Sequence, residues 1–188
     1  MSKLATFMKN ALDKYPIVSN CVIYGSLCVG AEFSQQTLTK KILPDKSEPY
    51  DWGSIARYSI YGTIIAGPML ATWYRFLDQQ IVGTAIKTVA KKVTIDQFTF
   101  TPSLLVVFYV SMSAMEKKID LLEECREKFI PTFKTSCLFW LPVQTINFLL
   151  IPPVFRVTYI GTCSFAWINI LCWIKRGSSC QDEIKSIN

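Results

Sequence analysis

The side chains in this sequence that could do chemistry are carboxylates, amides, arginines and thiols, because histidine is absent altogether. That absence removes the commonest general base and the commonest metal ligand, and with them the Ser-His and Cys-His nucleophile pairs. The seven cysteines, Cys21, Cys28, Cys125, Cys137, Cys163, Cys172 and Cys180, form no C-x-x-C, and most lie inside apolar runs. Odd in number and so placed, they read as small buried apolar residues of a reducing compartment rather than as a zinc site or a disulfide framework. A redox thiol is the alternative. Asp78 and Asp96 could pair as acids, but both fall at helix ends beside lysines, where caps or interfacial ion pairs are expected. With no Gly-rich phosphate loop and no metal-ligand cluster, the sequence predicts a protein that is not an enzyme, without catalytic residues, cofactor or metal.

The other candidates are polar residues stranded in apolar surroundings. Glu32, Arg57 and Arg156 fall in or at the edges of apolar runs, where a charge at a bilayer centre costs at least about 2.5–3.5 kcal/mol. The two arginines, near helix ends, either snorkel to the interface or find partners. Glu32 is too short to snorkel far, so an ion pair with an arginine or a water-filled cavity is expected. Trp140, Gln144, Asn147 and Ile151 follow one another at helical spacing and put two amides on one face. Asn169 and Cys172 could offer a polar edge to the same interior. One reading is interhelical hydrogen bonding, worth about 0.6 kcal/mol per bond. The other is a polar passage lined by Glu32, Gln35, Gln144 and Asn147, with Arg57 and Arg156 lining or gating it. Periodicity alone leaves both open.

The elements that must position these residues are membrane helices. Of the 188 residues, 51% are hydrophobic and only 18% charged, more apolar sequence than a soluble core needs. The formal charge of +6 is spread over 20 basic residues with no dense stripe. An anionic membrane surface explains that spread better than nucleic acid does. Apolar runs at 17–38, 53–76 and 98–115 are each about one crossing of a ~30 Å hydrocarbon core. A longer stretch, 135–174, is broken by Pro152-Pro153 and Arg156. It supplies a fourth span, 157–174, and a preceding segment, 135–152, that spans or lies tucked into the bundle. Residues 1–16 read as an amphipathic interfacial helix, and residues 44–51 as a short polar loop. Residues 81–93 read as a helix lying flat on the membrane, with Lys87, Lys91 and Lys92 on its wet side. Residues 116–128, charged nearly throughout, read as an extension of the third span into water. Cys21, Gly25, Cys28 and Glu32 share one helical face, and Ser59, Gly62, Thr63, Ala66 and Gly67 form a second small-residue strip where backbones can approach closely. The whole is predicted to be a single all-α integral membrane domain, 1–188. Lysine and arginine are nearly balanced between the two sets of loops, so orientation is not decided.

The order of residues resembles the Mpv17/PMP22 family of peroxisomal and mitochondrial inner-membrane proteins over nearly the whole chain. The most specific stretch is Trp140, Pro142, Gln144, Asn147, Phe148, Pro152 and Arg156, followed by Trp167, Asn169 and Trp173. Gly30 with Ser34-Gln35-Gln36, Asp51-Trp52, Arg57, Gly62, Gly67-Pro68, Trp73-Tyr74, Leu77, Asp78, Asp96-Gln97 and Pro102 agree with it. Two positions depart from the pattern: Glu32 stands near Gly30 where the family often has Asp, and Leu141 separates Trp140 from Pro142. The resemblance implies about four spans in the mitochondrial inner membrane, or alternatively the peroxisomal membrane. It further implies either a weakly selective pore for small solutes or a non-conducting scaffold for mitochondrial DNA or ribosome maintenance. The partners to expect are the lipid bilayer, small solutes and a second copy of the chain, with no direct nucleic acid.

Overall fold

The computed structural model describes residues 14–42, 49–167 and 170, and among them every regular element is helical. α1 is Pro16–Ile42. α2 (Trp52–Ile60) passes through a π segment, Tyr61–Ala66, into α3 (Gly67–Gln80) as one unbroken rod. α4 (Ile86–Ile95) likewise passes through a π segment, Asp96–Phe100, into α5 (Thr101–Met115). α6 is Glu123–Leu150, and after a 3₁₀ turn, Pro153–Phe155, α7 occupies 156–167.

Both π segments have the same local cause. A proline inside a helix lacks an N–H and its ring crowds the carbonyl four residues earlier. Pro68 and Pro102 each sit at the start of the helix after a π segment. The backbone widens just ahead of them, so that the N–H of Gly67 reaches the carbonyl of Gly62 and that of Thr101 reaches Asp96, the i→i−5 pattern of a π turn. α2 starts where Asp51 accepts the Ser54 N–H at 2.9 Å, an N-cap bond. Gln36 ties the end of α1 to that start: its Oε1 accepts from Asp51 N (2.9 Å), and its Nε2 donates to Asp51 O (3.1 Å).

α1 runs against the whole α2–α3 rod, while α6 packs on α4 and α5. The small residues are what let α1 approach: a Cβ added at Gly67 would lie 2.8 Å from Cys21 Cα, and one at Gly62 would lie 3.0 Å from Gly25 Cα. The core between the helices holds Tyr24 and Cys28 from α1, Leu70, Tyr74 and Leu77 from α3, Phe148 from α6 and Ile160 from α7. Outside, large apolar side chains such as Val22, Ile64, Leu138 and Leu150 are exposed, the inverse of a water-soluble surface. Among the described residues, two helices are long and apolar enough to cross a bilayer: Pro16–Lys40, of 25 residues, and Ile86–Met115, of 30.

Several expectations need correction. Residues 86–95 are not a separate helix lying flat, since they run straight into the third apolar run and the span begins at Ile86 rather than near 98. Lys92 accordingly is buried, at 3% exposure, not on a wet face. Residues 116–128 do not extend that span: the helix stops at Met115, Lys117 takes a positive φ of 55°, and Glu123–Lys128 form the first turns of α6. Pro131 and Pro142 sit inside α6 without ending it, so 135–150 belongs to a longer helix that starts in the charged segment. The break at Pro152-Pro153 falls where expected. The N-terminal amphipathic segment up to residue 13, most of the 44–51 loop, and Asn169, Cys172 and Trp173 lie outside the described residues.

Candidate functional site

The site grows out of a π turn. Asp96 opens the Asp96–Phe100 segment and is 1% exposed. Its Oδ1 accepts from Trp73 Nε1 of α3 at 2.7 Å, and its Oδ2 accepts from Gln144 Nε2 of α6 at 2.8 Å. The same Gln144 nitrogen donates to the Tyr74 hydroxyl at 2.7 Å, and Gln144 Oε1 accepts from Asn147 Nδ2 at 2.9 Å. Three helices are thus joined through one amide. Asp96 is neither a cap nor an interfacial acid, and among the described residues no cation lies within ion-pair distance of it. Next to it, Gln97 is 1% exposed and donates to Ser136 Oγ at 3.2 Å.

One turn from Asp96 along the same helix, Lys92 Nζ donates to Asp78 Oδ1 at 2.7 Å. Arg156, at the start of α7, brings Nη1 to the other oxygen of Asp78 and donates Nε to Ile151 O at 3.2 Å. Both cations lie near the Phe148 ring, Lys92 at 5.6 Å and Arg156 at 5.1 Å from its centre, a cation–π geometry. Arg156 is 3% exposed, so it is anchored by an acid and does not snorkel. Asp78, read from sequence as a cap or an interfacial ion pair, is the shared counter-ion of two buried cations.

A second polar locus lies at the opposite end of the α2–α3 rod. Ser54 and Asp78 are 24 positions apart on it, about 36 Å at ~1.5 Å per residue. Here Glu32 accepts from Ser54 Oγ at 2.7 Å and from Gln36 Nε2 at 3.0 Å. No arginine pairs with it among the described residues. Arg57 instead meets Asp51 at 3.4 Å and Glu116 at 3.7 Å, and Lys118 links Glu116 to Glu124. Hydrogen bonding to Glu124 and Glu116 pushes the Lys118 ammonium above its ordinary range.

The six residues singled out for a passage therefore separate. Gln144 and Asn147 are bonded to each other and Arg156 lies close by, whereas Glu32 and Arg57 are at the far end. Gln35 joins neither group: its backbone carbonyl accepts from Thr39. Of the family-pattern positions, Pro102 shapes the π turn that carries Asp96, and Phe148 is the ring near which both cations lie. Trp140 and Trp167 meet edge to face, their ring centres 6.0 Å apart. Pro142 is on the exposed side of α6, and Pro152 breaks the chain before α7. Sequence reasoning missed Lys92, Trp73 and Tyr74 as members of the network. The signal was present: Lys92/Asp96 and Tyr74/Asp78 are each spaced i,i+4, which puts each pair on one helical face.

Asp96, Gln144 and Tyr74 also form one wall of a partly open cavity of about 100 Å³ between the helices. Its remaining wall mixes rings, including Tyr24, Tyr61, Phe100, Trp140 and Trp167, with leucines and small side chains. Tyr24 OH and Ser164 Oγ, 3.3 Å apart, close its α1–α7 side. The five described cysteines are unpaired, and among the described residues no three His, Cys, Asp or Glu side chains cluster as metal ligands.

An all-helical bundle with membrane-length apolar helices, lipid-type exterior and charged groups folded inward defines a multi-pass membrane protein. The model of the Mpv17 / PMP22 family matches residues 112–172. A Xenopus laevis Mpv17-like protein is 36% identical, covering 86% of this chain and 78% of its own length. Protein sym1 of Aspergillus oryzae is 34% identical over 88% of this chain and 94% of its own. PXMP2/4 family protein 2 of Dictyostelium discoideum is 32% identical over the full length of both. The chain belongs to the Mpv17/PMP22 family, membrane proteins of mitochondria or peroxisomes. No solved structure matches it.

Proposed function

We propose that the protein is a weakly selective passage for small solutes, set in the mitochondrial inner membrane by about four spans, and that it catalyses no reaction. The observation that carries this reading is the cavity at the centre of the bundle, with Asp96, Gln144 and Tyr74 in its wall and an apolar exterior around it. A carboxylate and an amide held in a membrane interior are costly, and a solute path is a use that repays them. The passage runs through the cavity, not along the Glu32 face. Its solutes and the lipid bilayer are its partners, and a second copy of the chain is a further one.

A specific observation favours a second reading, a non-conducting scaffold. Asp78, Lys92 and Arg156 pair with one another, and Gln144 bonds Asp96, Tyr74 and Asn147, as helix glue would. Solute flux into liposomes holding the purified protein separates the two. A conducting wild type whose selectivity changes in Asp96→Asn and Gln144→Leu supports the passage. A folded wild type without flux replaces it with the scaffold.

A further inference from the structure

We propose that the central cavity is a binding site for a small organic cation of the primary or quaternary amine class, with Asp96 as its counter-ion. The inference deepens the passage reading, and rests on it, by naming the solute class that the cavity selects.

The first support is the bonding state of Asp96. An ionised carboxylate has about four acceptor positions, and Trp73 and Gln144 occupy one on each oxygen. Both donors are neutral. The nearby cations cannot serve, because Lys92 and Arg156 are both committed to Asp78. Asp96 is therefore a carboxylate 1% exposed, facing a cavity, with hydrogen bonds but no counter-charge.

The second support is the composition of the opposite wall. Tyr24, Tyr61, Phe100, Trp140 and Trp167 contribute rings to it. Aromatic rings attract cations, most strongly where water is excluded. A neutral apolar guest would gain from the rings and leave the carboxylate unanswered; an anion would be repelled by it. A cation bearing a few carbons satisfies both walls. The cavity of about 100 Å³ compares with the 150 Å³ that admits benzene, which limits the guest to about five non-hydrogen atoms.

The test is equilibrium binding to the full-length protein in nanodiscs, read from the thermal unfolding midpoint and intrinsic tryptophan fluorescence. The probes are n-butylammonium and n-butanol, which have the same shape and differ in charge. Half-saturation at least tenfold lower for n-butylammonium, with that preference lost in Asp96→Asn, is the expected result. Equal responses to the two probes in the wild type, or a preference that survives in Asp96→Asn, overturn the proposal. Should Asp96→Asn fail to fold, Ser164→Leu fills the cavity from α7 and leaves Asp96 in place. Loss of n-butylammonium binding there upholds the site, and unchanged binding overturns it. Liposome flux of uncharged solutes, measured in parallel, keeps the two ideas apart. Flux without amine preference removes this inference and leaves the passage; amine binding without flux removes the passage and leaves the site.

Discussion

Asp78 at the end of α3 receives the guanidinium of Arg156 from the start of α7, across 78 positions of sequence. The same carboxylate holds Lys92 of α4, so one acid fastens three helices at one end of the bundle. The side chains of Lys92 and Arg156 are each 4% exposed, against 23% for Asp78. The acid is the partly wetted member, and the cations are the ones committed to the interior.

That asymmetry sets the order of mutational damage. Asp78→Leu leaves two buried cations without an acid and is expected to cost about 3–5 kcal/mol, the usual penalty for breaking a buried pair from one side. Arg156→Met leaves the Lys92–Asp78 pair intact and should cost clearly less. The double variant Asp78→Leu/Arg156→Met should be less destabilised than the sum of its parts. Unfolding midpoints in detergent check this; equal losses for the two single variants would show that Asp78 is not the shared anchor.

Gln144 and Glu32 give a paired contrast. Gln144→Leu removes the donor to both Asp96 and Tyr74 and the acceptor for Asn147, leaving buried polar atoms unsatisfied at a cost of about 1–3 kcal/mol. Glu32→Gln keeps an oxygen that can accept from Ser54 and Gln36, and its effect should stay within about 0.5 kcal/mol. The same order is expected in liposome flux, where Gln144→Leu alters solute selectivity and Glu32→Gln leaves it unchanged.

Much of this fold was legible because lipid makes apolarity a strong signal. The first run fell inside α1, Pro152-Pro153 broke the last stretch, and Gln144 and Asn147 were singled out from their spacing alone. Residues 86–95 were misread because Lys87, Lys91 and Lys92 look like one wet face. Nothing local in the sequence says that an acid on α3 will take Lys92 inside. Asp96 was misread for the same reason, since its partners Trp73 and Gln144 are 23 and 48 positions away. Side-chain pairing between helices is long-range, and a single sequence reports the helices far better than their facing angles.

The charged loop between α5 and α6 carries a pH expectation. Glu124 and Glu116 raise the affinity of Lys118 for its proton. A raised base contributes stability fully below its unfolded value, here near the ordinary 10.5, and loses it as pH rises through the folded value. Asp120 is held below its ordinary value by the Leu122 N–H and then by Arg126. A depressed acid contributes above its unfolded value and loses that contribution as pH falls through the folded one. The destabilisation caused by Lys118→Met should therefore be constant from about pH 5 to pH 9 and vanish only in strong alkali. A penalty that changes across neutral pH would mean that another group controls the loop.

Close approach of α1 to the α2–α3 rod makes its glycines unequal. A Cβ at Gly67 would sit 2.8 Å from the backbone Cα of Cys21, and backbone cannot swing aside as a side-chain tip does. Gly67→Ala is expected to cost about 1–3 kcal/mol through overpacking. Gly30, inside α1, has nothing within 4 Å of its missing Cβ. Alanine there should be neutral or stabilise by up to about 1 kcal/mol, because it removes backbone freedom from the unfolded chain without meeting a neighbour. Thermal unfolding of the two single variants in one detergent compares them directly. If Gly30→Ala proves as damaging as Gly67→Ala, Gly30 must face a surface that a single chain does not supply, and the small-residue face of α1 would then extend into contact with a second copy of the chain.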